Sequence, residues 1–404
     1  MFFCLTILPA LVAGIFGCGA GSALPRGTTV CGAEVGGLTR GAAVEAVREE
    51  IARDLKAHCL TVYAEGGQYS FRFPQLSFAD NVREVVQGIR RAGSYDVEIS
   101  YRINGLDEVI SGIYAAQFRQ MREPQAYFCG GDGEPFIYEE GQEGIQPDAD
   151  KLREDMLSSL SSRRYGEDFA PVHLSVCRTP CTMDMDEVRA RTARLAAYTT
   201  YFDCENSPRV SNIALAGGKI SGCVLMPGQQ FSFNGRVGAR TAENGFREAK
   251  IIEDGRFVYG VGGGVCQVST TLYNAALLAG LKVTEYHPHS LAVSYVSPSR
   301  DAMVSGDYSD LKFLNASDCP VYIRVLTGLY YVRCEIYGRS SGMEYSLESE
   351  YVTAEDGSIE SRCYITESGG GRSTRRLLRK DRYRPAKRDG AEKPENTGEE
   401  GGVA

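Results

Sequence analysis

The stretch Gly260-Val261-Gly262-Gly263-Gly264-Val265-Cys266-Gln267-Val268-Ser269-Thr270-Thr271-Leu272-Tyr273-Asn274 sets a thiol directly behind a run of glycines. Three consecutive glycines resist helix formation. Cys266 to Leu278 reads as a helix, with Val268, Leu272, Ala275, Ala276 and Ala279 on one face and Gly280 as its stop. Cys266 therefore falls in the first helical turn, where unpaired N–H groups and the helix dipole favour an anion and give a thiol thiolate character. Downstream, Thr284-Glu285-Tyr286-His287-Pro288-His289-Ser290 leads into a strand-like run from Leu291 to Val296. Alternation along a strand would put His287 and His289 on one face. Asp301 follows at a place suited to an orienting carboxylate. Together these residues could perform acyl transfer, with Cys266 as nucleophile, His289 as base and then acid, and Asp301 orienting the imidazole. Two other readings stay open. A small cysteine packed on glycines is a common structural feature. Cys266, His287 and His289 could also hold a metal, although no fourth ligand is evident, so neither a metal nor a cofactor is expected.

These residues sit in a chain of 404 residues, 43% hydrophobic, long enough for two or three domains. The formal net charge of -8 argues against a nucleic-acid partner, which would call for excess Lys and Arg. Met1 to Leu24 carries no charged residue, and Phe2 to Phe16 is almost wholly apolar. Residues 1–26 are read as a signal peptide or an N-terminal membrane or lipid anchor, with Cys18 behind Ile15-Phe16-Gly17 as a lipidation candidate. The protein is thus expected outside the cytoplasm, in the cell envelope. The thirteen cysteines offer two close pairings, each as consistent with free thiols as with a bridge. Cys177 lies near Cys181, and a hairpin turning at Thr327-Gly328 would bring Cys319 near the level of Cys334.

Residues 27–197 divide into two similar units, about 27–110 and 111–197. The first has Thr39 capping a helix through Ala42, Val44, Val47, Ile51 and Leu55, then a strand at Leu60-Thr61-Val62-Tyr63. The second opens at Gly144-Ile145-Gln146-Pro147-Asp148, with a helix through Leu152, Met156 and Leu160 and a strand from Val172 to Val176. Between them, Gly-Gly-Asp-Gly-Glu-Pro at 130–135 reads as a surface turn. Residues 339–404 read as a charged tail, mostly disordered, whose basic run from Arg372 to Arg388 could meet anionic wall polymers or a membrane surface.

Residues 198–338 resemble the VanW family. The similarity is carried by Arg209-Val210-Ser211-Asn212-Ile213, Leu225-Met226-Pro227-Gly228 with Phe231-Ser232-Phe233-Asn234, and Gly238-Ala239-Arg240-Thr241 with Asn244-Gly245-Phe246. It continues through Gly262 to Asn274, His289-Ser290 with Tyr295, and Asp301-Ala302 with Asp310-Leu311 and Asn315. Met226 is a departure, and His287 has no counterpart in the family pattern. Residues 27–197 more loosely resemble the YoaR-like region that precedes such modules and is described as peptidoglycan-binding. The resemblance implies an exported, envelope-linked protein that acts on or binds peptidoglycan or wall stem peptides, with a link to glycopeptide resistance. In a binding role, Arg209, Asn212, Asn234, Gly262, Gly263, Gly264, Gln267, Ser269, Thr270 and Tyr295 would line the groove. A third role, a membrane-anchored envelope scaffold, rests on the two chain ends. The expected fold is α+β: a duplicated small α+β region, then a mixed α/β module with a central Cys-headed helix and a C-terminal β-hairpin.

Overall fold

The computed structural model describes residues 22–253, 256–306 and 308–385. Cys18, nearly all of the expected targeting segment and the acidic chain end lie outside them. The fold is mixed α+β and divides into two compact units, residues up to 122 with 142–180, and 123–141 with residues from 181 onward. Among the described residues, no helix is long and apolar enough to cross a membrane.

In the first unit, the helix Arg40–Ala57 begins where the Thr39 side chain accepts from the Ala42 N–H. Its Val44, Val47, Ile51 and Leu55 are buried at helical spacing. The helix Ala149–Ser162 starts the same way, with Asp148 accepting from the Lys151 N–H at 2.8 Å, and buries Leu152, Met156 and Leu160. Each helix is followed by a strand, Leu60–Ala64 and Val172–His173, and these two strands pair in parallel. Leu24, assigned above to the targeting segment, is already in the core with Val30 and Val35. Its N–H donates to the Leu38 carbonyl.

The second unit is built on an antiparallel sheet ordered Ala193–Tyr201, Tyr331–Gly338, Val321–Thr327, Cys223–Leu225. The helix Val265–Leu278 packs on this sheet. Because Ala193–Tyr201 pairs along Tyr331–Gly338, the compact unit that holds this sheet takes in residues ahead of 198, namely 123–141 and those from 181 onward. The hairpin between Val321–Thr327 and Tyr331–Gly338 forms as expected, but its register sets Cys334 opposite Val325. That places Cys334 far along the strand from Cys319, and both are buried free thiols. Cys177 is likewise a free thiol.

One sequence expectation holds here and another needs correction. Residues 130–135 form the turn between the strands Gln125–Phe128 and Phe136–Glu139. The turn is held from inside: the buried Arg324 guanidinium donates to the Gly131 and Gly133 carbonyls at 2.8 and 2.5 Å. The expected disordered tail is, up to Tyr383, an antiparallel sheet of Glu344–Thr353, Ile359–Gly369 and Arg372–Tyr383. Alternate residues Ser361, Cys363 and Ile365 of its middle strand are buried. An apolar face of this kind overrides the local excess of charge.

Candidate active site

The glycine loop ahead of the Cys266 helix is shaped by two close approaches. Gly264 is the N-cap, with φ of 106°, where a side chain would be strained and would also meet Arg209 and Ile213. At Gly263 a Cβ would fall 2.7 Å from the Ala249 carbonyl carbon and the Lys250 oxygen, which belong to the hairpin strand Glu248–Glu253. Gly263→Ala must therefore push that strand away from the helix head. The expected cost is about 1–3 kcal/mol, the usual scale for overpacking. Urea denaturation would read it, and an unchanged midpoint would show that the loop is slack.

The polar residues after Cys266 are buried fasteners. Ser269 Oγ donates to the Ala302 carbonyl at 2.6 Å, and Thr270 Oγ1 accepts from the Ala302 N–H at 3.0 Å. Asn274 exchanges bonds with Arg300 through Nδ2 to its carbonyl (2.8 Å) and through Oδ1 from its Nε (3.0 Å). One helix face thus grips residues 300–302 and presents Asp301. Asn212, fully buried, bonds Arg247 and the Gly263 carbonyl. Ser269, Thr270 and Asn212 consequently hold the site together and do not line a groove, contrary to the sequence expectation. Gln267 is also buried, donating to Thr200 and the Tyr201 carbonyl and accepting from Arg209.

His289 lies in an irregular segment, since the last strand before it is Lys282–Glu285. Pro288 lacks the N–H needed to continue a ladder, so the expected strand through Val296 does not form. The two histidines diverge accordingly. His287 is half-exposed and bonds Glu285 at 3.1 Å. His289 is buried, and its Nδ1 lies 2.7 Å from Asp301 Oδ2. The same oxygen accepts the His289 backbone N–H at 2.7 Å. A carboxylate on Nδ1 makes that nitrogen the donor and frees Nε2 for the other group that acts on the ring, the Cys266 thiol, whose own hydrogen bond runs to the Val304 carbonyl. Among the described residues, no group of three or more His, Cys, Asp or Glu is placed to hold a metal.

Asp301 is held by residues the sequence reading assigned to the tail. Tyr383 Oη donates to Asp301 Oδ1 at 2.6 Å, and Arg379 Nη1 donates to the Asp301 carbonyl at 2.7 Å. Arg379 Nη2 sits 3.4 Å from Oδ1, and its Nε donates to Asp381 at 2.6 Å. Burial alone would raise the Asp301 pKa, but His289, Arg379 and Tyr383 outweigh it and hold the carboxyl below its ordinary value. For His289, burial opposes the charged form, yet the bonds to Asp301 and Cys266 push its pKa up to about 9. For Cys266, burial opposes ionisation, while the His289 bond and charge, the Val304 backbone and Arg240 bring the thiol below its ordinary value. These three directions favour a thiolate–imidazolium pair backed by a carboxylate.

The part-buried Cys266, whose Sγ is 3.4 Å from the Val304 carbonyl, opens onto a cleft of about 910 Å³. Gly262, Gly263, Gly264, Gln267, His289, Arg209, Asn234 and Tyr295 contribute to its walls. Asn234 is largely committed to the Gly306 and Ser309 carbonyls. Arg240, which also lines the cleft, was not singled out from the sequence.

Residues 208–337 match the family model described as VanW like protein. This segment is VanW-like. Across 133 residues, 33% of its length, the chain is 44% identical to the uncharacterized protein YoaR of Bacillus subtilis, covering 44% of that protein. Across 168 residues, 40% of this chain, it is 26% identical to the vancomycin B-type resistance protein VanW of Enterococcus faecalis, covering 58% of it. The match thus spans about half the length of these relatives. No solved structure matches. All three groups of the line Cys266–His289–Asp301 fall inside the VanW-like segment, whereas Arg379 and Tyr383 lie beyond its matched limit.

Proposed function

We propose that the VanW cleft is a cysteine-nucleophile acyl-transfer site that acts on peptidoglycan stem peptides in an exported, envelope-associated protein. The supporting observation is the buried imidazole, clamped by Asp301 at 2.7 Å and coupled to a thiol at a helix head in an open cleft. In this reading the Cys266 thiolate forms a C–S bond with an amide or ester carbonyl carbon. The negative charge passes to the carbonyl oxygen at the positive end of the helix, where the Val265 and Gln267 N–H groups already bond Gly262 and Gly264 and the Cys266 N–H is the donor this reading uses. His289 Nε2–H gives its proton to the leaving amine or alcohol as the scissile bond breaks, leaving a thioester. An incoming amine, or water, then loses a proton to His289 and releases the thiol. The enterococcal relative's name lends support to a link with glycopeptide resistance. The paired helix–strand segments of the first unit fit an accessory peptidoglycan-binding role.

The test is the alkylation rate of Cys266 by iodoacetamide against pH, in wild type and His289→Ala, with the exposed Cys177 as internal control. Labelling of Cys266 is expected to persist well below the ordinary thiol pKa of about 8.5 and to slow in the variant. Intact-mass measurement after incubation with wall-peptide fragments should reveal the thioester. Labelling no faster than at Cys177, with no adduct, would leave a non-catalytic binding module.

A further inference from the structure

Two cations face the cleft beside Cys266. Arg209 leaves the first turn of the helix Ser207–Ile220, where Asn206 caps the Arg209 N–H, and Arg240 follows the short helix Phe233–Val237. A neutral amide tethers one edge of each: Arg209 Nη2 donates to Gln267 Oε1 at 2.7 Å, and Arg240 Nη2 donates to Asn234 Oδ1 at 2.5 Å. Among the described residues, neither guanidinium reaches a carboxylate at salt-bridge distance, and Arg240 Nε is buried with no hydrogen-bond partner. Arg379, buried where Arg209 and Arg240 are part-buried, is by contrast bracketed by Asp301 and Asp381. Burial pulls Arg209 and Arg240 below the ordinary guanidinium value; Tyr295 and Cys266 at Arg209, and Cys266 and the more distant Asp310 at Arg240, only partly counter this. Asp203 and Lys250 at the exposed rim are of opposite sign, so the excess positive charge belongs to the interior.

A guanidinium withdrawn from water without a counter-ion is costly. Its planar fork matches a carboxylate in two parallel bonds. The thiolate can balance only one positive charge, and in the reactive pair it already balances the His289 imidazolium. We propose that Arg209 and Arg240 form an anion subsite that holds a carboxylate of the acyl substrate beside Cys266, so that the site selects carboxylate-bearing peptides over neutral ones. The proposal rests on reading Cys266 as the nucleophile.

Two alkylating agents of the same reaction type separate the two ideas. Iodoacetate carries a carboxylate and iodoacetamide does not. The absolute iodoacetamide rate at Cys266 reports thiolate activation. The iodoacetate-to-iodoacetamide rate ratio, normalised to N-acetylcysteinamide as a neutral free thiol, reports the subsite. In the full chain this normalised ratio is expected to be about tenfold above one, equivalent to about 1.4 kcal/mol. It should fall to near one in Arg209→Gln/Arg240→Gln. Should the double variant fail to fold, wild type alone decides: N-acetylglycine should protect Cys266 from iodoacetamide, and N-acetylglycinamide should not. A ratio near one in wild type, or equal protection by acid and amide, overturns the subsite even where the iodoacetamide rate is fast. A slow iodoacetamide rate with a raised ratio would refute the nucleophile and keep the anion site.

Discussion

Asp301→Asn is expected to lower turnover of a wall-peptide substrate by about 10³- to 10⁴-fold, the scale seen when the orienting carboxylate of a related triad is neutralised. Asp301 Oδ2 accepts both the ring Nδ1 and the backbone N–H of His289. An amide oxygen could take both bonds only by turning its NH2 toward the Tyr383 and Arg379 donors, and it carries no charge, so His289 would lose the support that raises its pKa to about 9. Cys266 would lose its imidazolium and return toward an ordinary thiol. The wild-type pH profile should be bell-shaped. Its acid limb follows the lowered Cys266 pKa, and its alkaline limb falls near pH 9 as His289 loses the proton owed to the leaving group. Iodoacetamide alkylation, which needs no proton donor, should not fall there. Stability carries the same signature. A raised histidine pKa contributes stability in full below its unfolded value of about 6.5 and loses it as pH rises through the folded value. The depressed Asp301 pKa contributes above the ordinary aspartate range and is lost as pH falls through its folded value. The lowered Cys266 pKa contributes with the opposite sign and offsets the His289 loss up to the ordinary thiol value, so wild type should lose melting temperature only as pH nears about 9, and Asp301→Asn should lack that step. A variant retaining more than a tenth of wild-type turnover would remove Asp301 from the mechanism.

The second large effect lies outside the matched domain. Arg379→Met should destabilise the protein by about 3–5 kcal/mol, the range for stripping one partner from a buried ion pair. Arg379 is 4% exposed and serves Asp301 and Asp381 together, while also lying over the Tyr286 ring at 4.5 Å. Methionine replaces much of the volume but takes from Asp381 its cation and leaves Asp301 to His289 and Tyr383. Equilibrium urea unfolding at constant m-value would measure the loss. A change within about 0.5 kcal/mol, as at an ordinary surface position, would mean that the C-terminal sheet is only loosely joined to the triad.

Much of the site was legible in the sequence because its main signals are local. The glycine run forced a helix start, and Cys266 had to lie in its first turn. His289 and Asp301 could be named by residue type and order. Their support could not. Ser269 and Thr270 look like surface residues until Ala302, distant in sequence, is seen to bond them. A helix whose polar side chains are buried among Leu272, Tyr273 and Ala276 carries a cue to this, since it has no polar face left for solvent. The basic run from Arg372 was read as solvated because its charge is plain locally, whereas the burial of Arg379 and Tyr383 is set by Asp301 across the fold. The alternation around Ser361, Cys363 and Ile365 was the available sign of a strand. The strand expected after His289 failed at a single residue, Pro288.

The second unit takes in residues 123–141 from within the sequence of the first. There, Phe128 and Phe136 pack against Tyr322 and Tyr337, and the turn carbonyls receive Arg324. In this protein the VanW module is therefore not a removable cassette. A fragment cut to begin at residue 181 would uncover an aromatic patch and strand a buried cation. Recombination that exchanged the module intact would need three breakpoints, at 122/123, 141/142 and 180/181, or a substitute cover for the sheet. The interleaved chain ties the inheritance of the VanW-like half to that of its neighbour.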